Sequence, residues 1–142
     1  MFIVVVGAGR LGLQIAESLT HAGHAVTLLD ESRNALESLA GGFSGSRLEG
    51  DAAELEALKR SRMEEADVVV AVTEKDSLNL LVAQVARSVF GVPRVVARIY
   101  DPQTEEVYRH LDVDIVCPTS LSAQRILGIL RDDPGASADQ GD

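Results

Sequence analysis

This 142-residue sequence has one cysteine, no tryptophan and few aromatics of any kind. The lone Cys117 excludes an intrachain disulfide and fits a reducing compartment. It stands in DIVCP, which reads as a buried strand where a free cysteine serves as a small core residue. With aromatics at 4%, a core must come from Val, Leu, Ile and Ala, the mix that suits a parallel sheet buried on both faces. Positive charge is short as well: 13 Lys and Arg against 22 Asp and Glu leave a formal net charge of −9. That balance argues against a nucleic-acid surface or a polybasic membrane patch. Long hydrophobic runs are missing too. FIVVV at the start has no basic prelude and ends in glycine, unlike a signal peptide. No run approaches the ~18 residues of a membrane span. The expectation is a soluble chain without direct membrane insertion, any membrane connection running through a partner.

What is present alternates between strand and helix. Apolar strands are predicted at 2–6, 25–29, 67–72 and 94–99, a weak one at 47–49 and a short sixth at 115–117. Helices are predicted at 10–22, at 32–40 with Ser32 as N-cap, within GDAAELEALKR, at 77–90, at 102–111 and at 120–130. In 77–90, Leu78, Leu81, Val82, Val85 and Val89 are expected to form the buried face. Such alternation gives right-handed crossovers and a Rossmann-type, doubly wound, six-stranded parallel sheet in a single domain over 1–131. The stretch 132–142 reads as a disordered acidic tail.

The first strand breaks into GAGRLG, with Gly7, Gly9 and Gly12 in the G-x-G-x-x-G spacing. In the strand–loop–helix context each has a physical task. Gly7 permits the tight turn, Gly9 lets the backbone approach a phosphate, and Gly12 lets the helix pack closely on the sheet. The helix N-terminus then offers free N–H groups to an anion. Asp30 closes the second strand, 18 residues past Gly12. A carboxylate there accepts from the two hydroxyls of an adenosine ribose and repels a 2′-phosphate, which disfavours NADP; nearby Arg33 weakens that discrimination slightly. Gly50 and Asp51 end the third strand on the same sheet edge. Asp51 can cap the following helix, and its side chain or the Ala52 backbone can meet the adenine edge; the two roles are compatible. AVTEKDSLN puts Thr73 and Lys75 beside the topological switch point, with Asp76 as the expected N-cap. Arg98, in the buried strand VVARIY, needs a partner, either a phosphate or a facing carboxylate.

The combination of GAGRLG, Asp30, EGDA, AVTEKDSLN and ARIYD closely resembles the TrkA N-terminal domain, also called the KTN or RCK domain. This is the cytoplasmic nucleotide-binding regulator of potassium channels and transporters, and the likeness covers roughly residues 1–130. It implies that Asp30 holds the ribose, that Asp51 and Ala52 border the adenine, and that Thr73 and Lys75 line the cleft. It also implies that Arg98 reaches the phosphate region and that Arg10 contacts phosphate, in some members across a dimer interface. Without such a contact Arg10 is a solvent-exposed first-turn residue. The candidate ligand-binding set is therefore Gly7, Ala8, Gly9, Arg10, Leu11, Gly12, Asp30, Glu31, Asp51, Ala52, Thr73, Glu74, Lys75 and Arg98. The implied ligand is NAD or NADH, or an adenine nucleotide (ATP, ADP or AMP). The implied partners are an integral-membrane potassium channel or transporter subunit and further copies of the chain, as a homodimer or a ring. The place is cytoplasmic, at the inner face of the membrane. In SLSAQRILGIL the apolar positions Leu121, Ile126, Leu127 and Leu130 either pack on a neighbour or cover the domain's own sheet. Many members carry a second, smaller C-terminal domain, so this chain is either a stand-alone form or a piece of a longer one. Some members bind a divalent metal near the helix before the sixth strand; with Glu105 and Glu106 beside Arg109 and His110, no metal is expected here.

A small NAD-dependent oxidoreductase is the competing class. Hydride transfer needs a second site with a general acid or base and groups that orient a substrate, and a single domain of this length leaves little room for one. Lys75 is the only lysine near the loop, and no tyrosine stands four residues before it. An adenine-nucleotide sensor for a partner other than a channel is a third possibility. The expectation is a binding protein without catalytic residues.

Overall fold

The first strand, β1 (Phe2–Val6), is apolar throughout and β-branched after Phe2, which suits a central position with both faces covered. The computed structural model describes residues 1–39 and 41–131; the tail expected over 132–142 lies outside them. The remaining strands are β2 (Ala25–Asp30), β3 (Ser46–Glu49), β4 (Val68–Ala71), β5 (Arg94–Arg98) and β6 (Asp114–Val116). The helices are α1 (Arg10–His21), α2 (Arg33–Glu37), α3 (Leu55–Arg60), α4 (Asp76–Ser88), α5 (Pro102–Tyr108) and α6 (Pro118–Leu130), with a 3₁₀ turn at Met63–Glu65 that sequence patterning missed. All strands run parallel in the order β3-β2-β1-β4-β5-β6. This is the doubly wound Rossmann order, with its switch point between β1 and β4.

Alternation along the strands divides the core into two layers. Ile3, Val5, Val26 and Leu28 pack with Ala16 of α1 and Leu36 of α2. Val4, Val6, Leu29, Val69 and Ala71 face the other way, onto Leu58 of α3 and Val82, Ala83 and Ala86 of α4. Val4, Val5, Leu28 and Leu29 are completely buried, each contributing about 1.5–3 kcal/mol. The register sets Val6 beside Leu29 on one side and Ala71 on the other. The ends of β1, β2 and β4 therefore come to one edge.

Several expectations are adjusted. Ser32 does cap α2, its Oγ accepting from Ala35 N at 3.2 Å. Asp76 is not an N-cap: Lys75 occupies that position without a side-chain bond, and Asp76 is the first residue of α4. Asp51 does not cap α3, whose N-cap is Glu54; its Oδ1 accepts from Ala53 N at 2.9 Å and shapes the preceding turn. The buried face of α4 is Asn79, Leu80, Val82, Ala83 and Ala86, while Leu81 and Val89 are exposed. In α6 only Gly128 is buried. Leu121, Ile126, Leu127, Ile129 and Leu130 are each more than half exposed, so this face does not cover the chain's own sheet. Cys117 is buried as expected, but it stands after β6, at the N-cap of α6. Among the described residues no helix is long and apolar enough to cross a membrane.

Candidate functional site

The glycine loop after β1 is tight at two points and open at a third. Gly7 has φ +114°, and a Cβ there would meet Thr73 N, Val72 C and Val72 O, all at 2.8 Å. A Cβ on Gly12 would lie 1.7 Å from Gly7 O. That contact shows why the first turn of α1 can sit directly on the loop. A Cβ on Gly9 would have no atom within 4 Å. Gly9 is the N-cap of α1 and offers no side-chain cap, so the open point of the loop lies at the positive end of the helix dipole.

Asp30, half-buried at the end of β2, ties this loop to the next one. Its Oδ2 accepts from Ala8 N and its Oδ1 from Ser32 N, both at 2.7 Å. Each oxygen keeps a lone pair for a further donor. Arg33, just beyond this carboxylate in the chain, donates from Nε to Glu49 at 2.9 Å. That hydrogen bond and the Glu49 charge, with a smaller contribution from Glu37, raise the Arg33 pKa above its ordinary value. The cation that weakens the case for excluding a 2′-phosphate is paired here with Glu49, and both side chains are exposed.

A cleft of about 670 Å³ opens along this edge. Of the predicted residues, Gly7, Ala8, Gly9, Asp30, Glu31, Asp51, Ala52, Thr73, Glu74 and Lys75 line it. Arg10, Leu11, Gly12 and Arg98 lie off its wall. Arg10 is exposed at the start of α1. Leu11 packs against the α1–α2 core layer, and Gly12 is buried under Gly7. The Arg98 side chain is 9% exposed, and its Nη2 donates to Val72 O at 2.8 Å and Thr73 O at 2.9 Å. The sequence reading sought a phosphate or carboxylate for Arg98; the structure supplies backbone carbonyls.

Sequence reasoning missed Ser32, Ala35, Leu78 and Leu81 as cleft residues. The signal for the two leucines was Asn79. A polar residue inside the apolar pattern of α4 marks the true buried face and swings Leu78 and Leu81 toward the cleft. Asn79 is completely buried. Its Oδ1 accepts from Thr73 N at 2.8 Å and Thr73 Oγ1 at 2.7 Å. Its Nδ2 donates to Thr73 O at 3.0 Å and Arg98 O at 2.8 Å. Asp76 accepts from Tyr100 N at 2.8 Å and Asp101 N at 3.1 Å, fastening α4 to the β5–α5 turn. Glu105 accepts from Ser120 Oγ at 3.3 Å and Glu106 pairs with Arg109 at 3.0 Å. Among the described residues no three His, Cys, Asp or Glu side chains are grouped to hold a metal.

A parallel sheet in this order, a glycine loop packed under its own helix and an acid at the end of β2 define a Rossmann-type α/β domain with a cleft at its switch point. More narrowly, the chain belongs to the TrkA-N domain family, whose profile matches residues 3–119. The Trk system potassium uptake protein TrkA of Streptomyces coelicolor is 37% identical over 127 residues, covering 89% of this chain and 57% of that protein. The chain thus spans little more than half of that relative's length. Among solved structures, the Kef CTD of Shewanella denitrificans in AMP-bound form superimposes with TM-score 0.78 at 20% identity, covering 99% of this chain and 88% of that one. The GsuK channel bound to NAD gives TM-score 0.76 at 22% identity, covering 96% of this chain and 24% of that one.

Proposed function

We propose that this chain is the nucleotide-binding regulatory unit of a potassium uptake channel or transporter, taking NAD(H) or an adenine nucleotide in the cleft. The observation that carries the reading is Asp30, held by Ala8 N and Ser32 N at 2.7 Å beside an open glycine loop. Its free lone pairs suit the two ribose hydroxyls, with the phosphates on the amides near Gly9. The AMP-bound and NAD-bound neighbours and the potassium-uptake relative support this assignment. Its role in this reading is to bind, as the potassium-uptake relative is named for transport. The membrane partner sits above a cytoplasmic assembly of these domains, joined in dimers or a ring through the exposed α6 face. Ligand that contacts two arrangements of the copies unequally shifts their balance, and the partner responds to that shift.

Calorimetric titration with NAD, NADH, AMP, ADP, ATP and NADP tests the first half. The adenosine ligands bind and NADP binds at least tenfold more weakly; absence of binding by all six refutes the site. Small-angle scattering with and without saturating nucleotide tests the second half, and superimposable curves would refute the switch.

A further inference from the structure

Arg98 is costly where it stands. Among the described residues its Nε is a buried side-chain nitrogen with no hydrogen-bond partner, and the guanidinium lies over the Tyr100 ring at 4.6 Å. A buried charged group with an unmatched donor destabilises a fold, and apolar side chains of similar volume often serve stability better. What this arginine contributes lies in the two bonds that it makes.

Nη2 donates to the carbonyls of two successive residues, Val72 and Thr73. In an extended strand neighbouring carbonyls point in opposite directions, so their convergence on one nitrogen breaks the line of β4 just past Ala71. Two converging carbonyl dipoles repel, and a cationic donor between them removes the penalty. Asn79 grips the same segment through Thr73 N, Oγ1 and O. The Val72–Thr73 peptide is also the surface on which Gly7 rests, three of its atoms lying 2.8 Å from where a Gly7 Cβ would be. Gly7 leads directly into Ala8 and Gly9 at the open part of the loop.

We propose that Arg98 is a positioning residue for the glycine loop. It acts through the Val72–Thr73 peptide and does not touch the ligand. This rests on the reading of the cleft as a nucleotide site.

The test combines amide hydrogen exchange, followed by NMR on ligand-free protein, with calorimetric binding of ADP and NAD to the wild-type chain, Arg98→Met and Arg98→Lys. If wild type binds neither ligand, the nucleotide reading itself fails. If wild type binds, Arg98→Met is expected to speed exchange at Thr73, Gly7 and Ala8 at least tenfold while the β1 and α4 interiors hold. It is expected to weaken both ligands at least tenfold and by similar factors. Weakened binding with unchanged ligand-free exchange would overturn the proposal, because Arg98 would then act on the ligand directly. Unchanged binding, or protection lost evenly across the sheet, overturns it too. Should Arg98→Met fail to fold, Arg98→Lys decides, since it keeps the charge. Faster exchange at the same three amides with weaker binding supports the proposal, and full affinity despite the faster exchange refutes it.

Discussion

Replacing Asp30 by alanine perturbs the fold and the proposed ligand by different amounts. In the free protein the carboxylate accepts two short bonds, from Ala8 N and Ser32 N at 2.7 Å. The site is half-buried, so water replaces part of both, and the expected loss of stability is about 1–2 kcal/mol. In the complex the variant also loses a charged hydrogen bond to ribose, about 1.5–3 kcal/mol. That corresponds to roughly 10- to 150-fold weaker binding of every adenosine ligand. NADP behaves differently. The same carboxylate repels its 2′-phosphate, while Arg33 is engaged through Nε by Glu49 at 2.9 Å. Removing the acid therefore relieves repulsion as it removes attraction, and the NAD-to-NADP affinity ratio falls toward unity. Thermal denaturation measures the first quantity and calorimetry the others. Wild-type affinity for AMP, ADP and NAD in a folded Asp30→Ala protein would refute the ribose assignment. A preserved NAD-to-NADP ratio would refute the electrostatic account of exclusion.

The three glycines of the loop should separate in the same assays. Gly12→Ala drives a Cβ to within 1.7 Å of a backbone oxygen, so α1 must shift, and a loss of about 1–3 kcal/mol or more is expected as a lowered melting temperature. Gly9→Ala meets no protein atom within 4 Å and should stay within about 1 kcal/mol of wild type, yet block close approach of a phosphate and abolish ADP and NAD binding. Equal effects of the two substitutions on stability would contradict the packing described. Ile126→Ser with Leu130→Ser, both on exposed α6 positions, should leave the melting temperature of the monomer nearly unchanged while shifting sedimentation toward monomer. An unaltered oligomer distribution would remove α6 from the interface.

The fold was legible because its strands carry a signal that needs no tertiary context. Phe2–Val6 and the apolar part of β2 are buried on both faces, and continuous β-branched runs between turn residues have few other uses. What was less legible lay at the edges. The turn after β3 delays α3 to Leu55 because Asp51 Oδ1 engages Ala53 N, and nothing in the apolar spacing records that bond. In α6 the hydrophobic positions were plain, but spacing alone does not say which surface they meet. Only the placement of the helix beyond β6 leaves them exposed.

At the site, sequence motif and geometry diverge where backbone atoms do the binding. Gly7, Asp30 and Thr73 could be placed on one edge from strand ends alone, because a parallel sheet brings those ends together. Arg98 could not be resolved that way. A buried arginine announces the need for an acceptor, and from sequence the acceptors that come to mind are side chains and ligands. Here they are the carbonyls of Val72 and Thr73, invisible in any residue pattern because every residue has one. The readable clue was Asn79. An amide buried in the middle of an apolar helix must satisfy both its donors and its acceptor. Six residues after a threonine that lies just past a strand's end, its reach is limited to the peptide units there and the neighbouring strand. Both are what it holds: Thr73 on one side and Arg98 O on the other. A buried polar residue so placed fixes a backbone corner, and here that corner supports the loop proposed to meet the phosphate.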